Sequence, residues 1–362
     1  MGEMIRALEA HYYTDPAIFA REAERIFFRT WQFAGHTSQL DKPGDYLTLR
    51  LIDQGLFLMR GSDGAVRAFY NVCQHRAHEL VQGAGNLRSI VCPYHAWSYE
   101  LDGRLKRARN SDKVEGFDKT AICLTQVRVE DFCGFLFVNL DEAAPSMAEC
   151  FPEVQQGLRD YLPKLDRLQP VERVAVEEAC NWKVTVENYS ECYHCGIAHP
   201  AFTKGVIDPK SYDIRPERQG QCLRHTTTAV DLSAMSYEID TGESAHAGDY
   251  SSWFLWPTFS FQVYPGGLLN TYHWRPLGVD RTEVVRGWYA PDGVRDETVL
   301  KMAEQDRVTT LAEDVRLVES VQRGLKSRGY RAGPLILDPK YGVDSEHSVR
   351  ALKDWLLDAL AD

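Results

Sequence analysis

The pattern Cys73-Gln74-His75, then sixteen residues, then Cys92-Pro93-Tyr94-His95 constrains this chain more than any other feature. Each string follows a strand-like run, so each offers one thiolate and one imidazole from the tip of a tight loop. Two such tips facing each other supply two sulfurs and two nitrogens. A structural zinc site takes that donor set, but its usual arrangement groups cysteine with cysteine and histidine with histidine on separate elements. One of each per loop suits a two-iron cluster, with both cysteines on one iron and both histidines on the other. Exchanging two thiolates for neutral imidazoles removes negative charge and raises the reduction potential, from near −400 mV to roughly −150 mV or above. That poise suits the relay of electrons to an oxygen-activating centre.

Both strings lie in a β-rich stretch. From about 37 to 140, short strand-like runs (45–59, 65–72, 133–140) are punctuated by Gly and by Asp-Gly pairs at 63–64 and 102–103, which predict tight hairpins. Ahead of them Phe19, Ala20, Ala23, Ile26, Phe27 and Trp31 recur at helical spacing over 14–34. Beyond a polar, Pro-containing stretch at 141–146, helical sequence near 147–162 precedes strand runs at 171–186, 252–264, 268–275 and 282–290. Helices are expected over about 295–327 and 345–360. The expected organisation is a leading helical segment (1–36), a small β domain (37–145) and a region (146–362) in which an antiparallel sheet gathers helices at its end, α+β overall.

The later region carries a second constellation, Glu187-Asn188-Tyr189-Ser190-Glu191-Cys192-Tyr193-His194-Cys195-Gly196-Ile197-Ala198-His199-Pro200. A helix starting near Thr185 is expected to carry Glu187 to Cys195, with a turn at Pro200 just beyond. Five residues on a regular helix turn the chain so that the rings of His194 and His199 point about 140° apart. They meet at one ion only if the helix ends or bulges between them, and Gly196 and Pro200 suit such an interruption. Glu191 lies one helical turn before His194, on roughly the same face. A facial triad of two histidines and one carboxylate leaves the opposite face of an iron(II) open for O₂ and substrate. The third ligand must come from elsewhere in the chain. Cys192 and Cys195 lack the βαβ context of a thioredoxin-like pair, and packing is the expected role of both.

The strings CQHRAHELV and CPYHAWSYELDGRL, read together with ENYSECYHCGIAHP, resemble the catalytic alpha subunits of Rieske non-haem iron oxygenases, the ring-hydroxylating oxygenase superfamily, over nearly the whole chain. The resemblance implies an all-β Rieske domain and a helix-grip (START-like) catalytic domain. It implies a [2Fe–2S] cluster on Cys73, His75, Cys92 and His95, with Trp97 and Tyr99 packed against it and His78 outside the ligand set. It implies Fe(II) on His194, His199 and Asp314, with Glu313 as the rival carboxylate on the late helix. Glu191, where the family commonly has Asp, is then the catalytic acid joining that iron to a cluster histidine of a neighbouring subunit, His95 rather than His75. O₂, electrons from NAD(P)H through a separate flavin/iron–sulfur reductase, and a head-to-tail homotrimer belong to the same expectation.

Within the family, the Glu-containing string looks most like the branch that oxidises quaternary amines such as betaines, proline betaine and carnitine, by monooxygenation with N-demethylation or C–N cleavage. Hydroxylation of an aromatic ring, as in aromatic hydrocarbon catabolism, and O-demethylation of an aromatic ether stay open. A permanent cation wants an aromatic box. The stretch 253–274 offers Trp253, Trp256, Phe261 and Tyr272 as the expected wall of a small-molecule pocket.

Composition removes other classes. A net charge of −11 without a basic stripe argues against nucleic acid. No run of about 18 apolar residues predicts a membrane span, and the first residues lack the apolar core of a secretory signal. Nine unevenly spaced cysteines do not make a secreted disulfide framework, so a reducing cytoplasm is expected. Two rivals of other classes remain at this point: a Rieske electron carrier without oxygenase chemistry, and a zinc-stabilised binding protein.

Overall fold

The Asp-Gly pairs at 63–64 and 102–103 turn hairpins. Gly64 and Gly103 take φ of +81° and +89°, a left-handed conformation that residues with a Cβ resist. At Gly103 a Cβ would also stand 2.6 Å from Cε1 of Phe69. The computed structural model describes residues 4–228 and 244–361. The chain divides into two units, Phe27–Ser146 and a unit joining Met1–Ile26 to Met147–Asp362.

Strands make up most of the regular structure of the first unit: β1 Gln32–His36, β2 Asp45–Leu51, β3 Gln54–Arg60, β4 Val66–Tyr70, β5 Ala84–Asn86, β6 Ile90–Val91, β7 Ser98–Tyr99, β8 Leu105–Arg107, β9 Gln126–Phe132 and β10 Phe135–Asn139. Seven form a sheet in the order β1-β10-β9-β4-β3-β2-β5, and β6-β7-β8 form a smaller one. A core containing Phe57, Phe69, Ile90, Tyr99 and Leu124 also takes in Cys73 and Cys92. The run 45–59 is two strands, because Ile52 turns the chain at φ +54°. The helical pattern of 14–34 stops at Phe27. Beyond it Gln32–His36 pairs with β10, Gln32 opposite Val138, so part of the stretch assigned to the leading segment is an edge strand of this sheet. That pairing is long-range and leaves no local signal.

The second unit is one antiparallel sheet with helices. In chain order it comprises α1 His11–Thr14, α2 Pro16–Glu22, α3 Met147–Cys150, α4 Val154–Tyr161, β11 Leu168–Glu178, α5 Trp182–Ser190, α6 Cys195–Ala198, α7 Pro200–Gly205, β12 Asp213–Pro216, β13 Cys222–Thr228, β14 Asp249–Leu255, β15 Phe259–Tyr264, β16 Leu268–Gly278, β17 Arg281–Pro291, α8 Glu297–Val308, α9 Thr310–Leu325 and α10 His347–Leu360. The sheet order is β11-β17-β16-β15-β14-β13-β12, and α5 packs on both α9 and β16.

Helix α5 is held from both sides. Asn181 caps it, its Oδ1 accepting from the Lys183 backbone N–H at 3.0 Å. Glu22 of α2 reaches Nζ of Lys183 at 2.5 Å and accepts from Nε1 of Trp182 at 2.8 Å. Both charges are buried, so removing one partner alone should cost about 3–5 kcal/mol. Tyr13 donates to the Glu187 carboxylate at 2.8 Å. These contacts make the first helices part of this unit. Among the described residues no helix is long and apolar enough to cross a membrane.

Candidate functional site

The two cysteine–histidine loops are conformational copies. In one, the Ala77 N–H donates to the Cys73 carbonyl and the Cys73 N–H to the His78 carbonyl; in the other, Ala96 donates to Cys92 and Cys92 to Trp97. Ala77 and Ala96 close the loops at φ +57° and +59°. Each loop buries its thiol, 3% and 2% exposed, and turns its imidazole outward. The rings of His75 and His95 stand 4.7 Å apart. Burial raises the Cys92 thiol pKa, with Cys73 as a lesser cause.

Thus ring neighbours ring and thiol neighbours thiol, the arrangement a cluster of two unlike irons requires. Nδ1 of His95 is buried without a protein partner, as an atom reserved for iron would be. The Tyr99 hydroxyl accepts from the Gln74 N–H at 3.1 Å and is hydrogen-bonded to the Cys73 sulfur at 3.2 Å. Trp97 stacks on His75 with ring centres 4.6 Å apart. His78 is exposed, its ring against the Glu79 carbonyl.

In the second unit, α5 ends at Ser190 and Glu191 is extended, at φ −129° and ψ 163°. The expected helix through Cys195 is therefore broken earlier than its sequence pattern implies, and His194 sits in a turn ahead of α6. Glu191 bridges the break. Its carboxylate accepts from the backbone N–H groups of Tyr193 and His194 and lies 2.6 Å from Nδ1 of His194. A second break falls at His199 itself (φ −121°, ψ 66°), with Pro200 opening α7. Gly196 lies inside α6 and interrupts nothing.

These two breaks aim His194 and His199 at one point. Their Nε2 atoms are 3.1 Å apart, and Oδ1 of Asp314, from α9, lies 3.0 Å from Nε2 of His199 and 3.7 Å from Nε2 of His194. Ligand atoms about 2.1 Å from an ion and at right angles around it stand about 3 Å apart, so the three fit one face of an iron. Glu313 takes another position: its Oε2 lies 2.8 Å from Nδ1 of His199, behind the ring. Both histidines thus have Nδ1 held by a glutamate, which leaves Nε2 free for metal. Burial alone would lower the His199 pKa, but the Asp314 and Glu313 carboxylates raise it above its ordinary value.

Cys192 and Cys195, expected as packed thiols, form a disulfide here. The turn around His194 brings their Cα atoms to 4.8 Å, within the usual range of about 4.4–6.8 Å. Both are also buried among Val171, Ile214 and Trp288.

A cleft of about 450 Å³, counting the space open to solvent, lies beside the triad. Its aromatic wall is Tyr189, Phe202, Tyr212, Tyr250, Tyr264 and Tyr272, and among the described residues no Lys or Arg lines it. Of the four rings expected there, only Tyr272 takes part. Trp253 and Phe261 face each other in register on the opposite side of the sheet, Trp253 against Tyr161 and Gly157 of α4. Trp256 follows the end of β14 and packs on Trp182 and Trp355. Alternation identifies two faces but not which one meets the helices. The wall residues missed were Tyr189, inside the quoted motif, and Phe202, Tyr212, His225, Tyr250 and Gln262.

Residues 165–362 match the family described as ring hydroxylating alpha subunit (catalytic domain), and residues 30–118 match the Rieske [2Fe–2S] domain. The chain is 37% identical to a carnitine monooxygenase oxygenase subunit of Acinetobacter pittii (93% of this chain, 90% of the relative). It is 30% identical to a glycine betaine monooxygenase oxygenase subunit of Chromohalobacter salexigens (98% and 86%). A solved quaternary ammonium Rieske monooxygenase, whose structure gave insights into carnitine oxidation and inter-subunit electron transfer, superposes with a TM-score of 0.89 at 33% identity (99% and 96%).

Proposed function

The chain belongs to the ring-hydroxylating alpha-subunit family and is a Rieske non-haem iron oxygenase, and from that premise we propose that it oxidises a small quaternary ammonium compound of the betaine or carnitine type by monooxygenation, with N-demethylation or C–N cleavage. The carrying observation is the cavity of tyrosines beside His194, His199 and Asp314. A ring facing a quaternary ammonium contributes about 0.5–2 kcal/mol by cation–π attraction, and the described residues of the wall include no Lys or Arg to repel it. The names of the relatives point the same way.

A [2Fe–2S] cluster, when bound, supplies electrons received from a reductase, and the mononuclear iron supplies O₂ activation. Cys73, His75, Cys92 and His95 hold the first; His194, His199 and Asp314 hold the second. Glu191 and Glu313 keep the protons of His194 and His199 on Nδ1. Tyrosine rings hold the substrate cation against the triad and keep water from it. Glu191 also links the iron site to a cluster histidine of a neighbouring subunit (His95) in a head-to-tail homotrimer, which receives its electrons through a flavin/iron–sulfur reductase in the cytoplasm. The test is coupled oxygen uptake with glycine betaine, γ-butyrobetaine, carnitine and choline against simple aromatics. Uptake at least tenfold faster with quaternary amines is expected; faster uptake with an aromatic ring or aryl ether would reassign the substrate.

A further inference from the structure

Cys192 and Cys195 bracket His194 in sequence and in space. The Cys195 N–H donates to the Cys192 carbonyl at 3.1 Å, and the two Cα atoms are 4.8 Å apart, so residues 192–195 close a four-residue turn with His194 third in it. Glu191 fastens that turn from one side, through the backbone N–H groups of Tyr193 and His194 and through Nδ1 of His194. The disulfide fastens it from the other, joining its two ends. Both cysteines are anchored among Val171, Ile207 and Trp288, and the Cys195 carbonyl also accepts from the His199 N–H at 2.9 Å. The His199 side chain is 3% exposed and that of His194 21%, so His194 depends more on its turn for its position. Both cysteines line the cleft beside the triad.

In the reducing compartment proposed above, a disulfide is as a rule reversible and redox-active rather than structural. A thiol pair beside an oxygen-activating site has an oxidant at hand. When O₂ takes up two electrons and two protons without oxidising a substrate, hydrogen peroxide results, and the oxygenase reaction supplies every one of those reactants. Peroxide oxidises one thiol to a sulfenic acid and releases water; the second thiol displaces the hydroxyl, forms the S–S bond and releases a second water. Two thiols and one peroxide thus give one disulfide and two waters. Exchange with a dithiol reverses the step. A cross-link acts mainly by removing conformations of the open chain, here those in which the turn opens and Nε2 of His194 leaves the triad.

We propose that Cys192 and Cys195 are an oxidation site for peroxide, and that their disulfide holds His194 on the iron more tightly than the two thiols do. The proposal rests on His194, His199 and Asp314 being the iron site; it is independent of which substrate is oxidised. Turnover that releases peroxide thereby reinforces the metal site that produced it.

The test uses holoenzyme reduced with dithiothreitol, freed of it and kept anaerobic. Alkylation and peptide mass mapping, before and after a small excess of hydrogen peroxide, report the state of each cysteine; the expected result is that 192 and 195 become linked to each other. Iron release to a ferrous chelator is then timed in the dithiol form and in the form oxidised with diamide, which acts on thiols. Release should be at least about threefold slower in the disulfide form, with cluster absorbance constant in both. Cys195→Ser should release iron at the dithiol rate after either treatment; a slowing equal to that of wild type would overturn the proposal. The wild-type comparison needs no variant to fold. Thiols at 192 and 195 that stay open to alkylation after peroxide, or equal release rates in the two wild-type forms, would also overturn it while leaving the triad standing. A holoenzyme with two irons per chain and no third would overturn the triad and the proposal together.

Discussion

The two proposed metal sites are built on opposite plans. In the first unit, four side chains come from two loops with the same hydrogen bonds and the same left-handed alanine, each complete within a handful of residues. In the second, the proposed ligand set takes two histidines that flank the short helix α6 and a carboxylate from α9, more than a hundred positions later. The first plan depends on local backbone geometry, the second on the packing of α5 against α9. A site of the first kind tolerates change elsewhere; a site of the second kind is as good as the core that aligns it.

The largest effect should come from His194→Ala. It is expected to lower iron from about three to about two per chain and to reduce turnover at least a thousandfold, with the cluster spectrum unchanged. Metal analysis and electron paramagnetic resonance check it, and loss of both centres together would break the contrast. Next, Glu313→Gln frees Nδ1 of His199 from its charged partner and should weaken iron binding about 10–100-fold, read by iron titration of the metal-stripped protein. Tyr99→Phe acts on the other site. It removes a hydrogen bond to the Cys73 sulfur and should lower the cluster potential by about 40–60 mV, the equivalent of one hydrogen bond of about 1–1.5 kcal/mol, with iron at the triad unaffected.

The smallest effect concerns pH, where the units also differ. Among the described residues, the shifted carboxylates of the first unit are all lowered, Asp63 by Arg67 and Asp102 by Arg104 among them. Their stabilisation is present above the ordinary carboxylate range and is lost on acidification. In the second unit, burial pushes Glu187 up to about 7, against the opposing pull of Tyr13 and Lys183. A raised carboxyl stabilises the fold fully below its unfolded value of about 4.5 and loses that contribution as pH rises towards 7. Glu187→Gln should therefore melt higher relative to wild type at pH 8 than at pH 5, by a few degrees. A pH-independent difference would refute the burial of this charge.

Much of the molecule was legible beforehand. The hairpins at Gly64 and Gly103, the later strands and the late helices follow from turn chemistry and periodicity, and the ligand candidates follow from spacing and family resemblance. Three things were not. The edge strand Gln32–His36 has no local marker, since its partner lies near residue 137. The bond between Cys192 and Cys195 depends on a turn where periodicity predicted helix. The pocket wall was assigned to the wrong face at Trp253 and Phe261, because alternation is symmetric and only helix packing distinguishes inside from outside.

By itself the sequence determined the chemistry: which donor atoms exist, in what local order, and that one chain carries both a cluster and an iron triad of its family. Tertiary structure alone decided which carboxylate of the Glu313–Asp314 pair faces the histidines' Nε2 atoms and which sheet face lines the cavity. Donor identity is a property of single residues. Direction and register are set by contacts between segments far apart in the chain, and no local pattern encodes them.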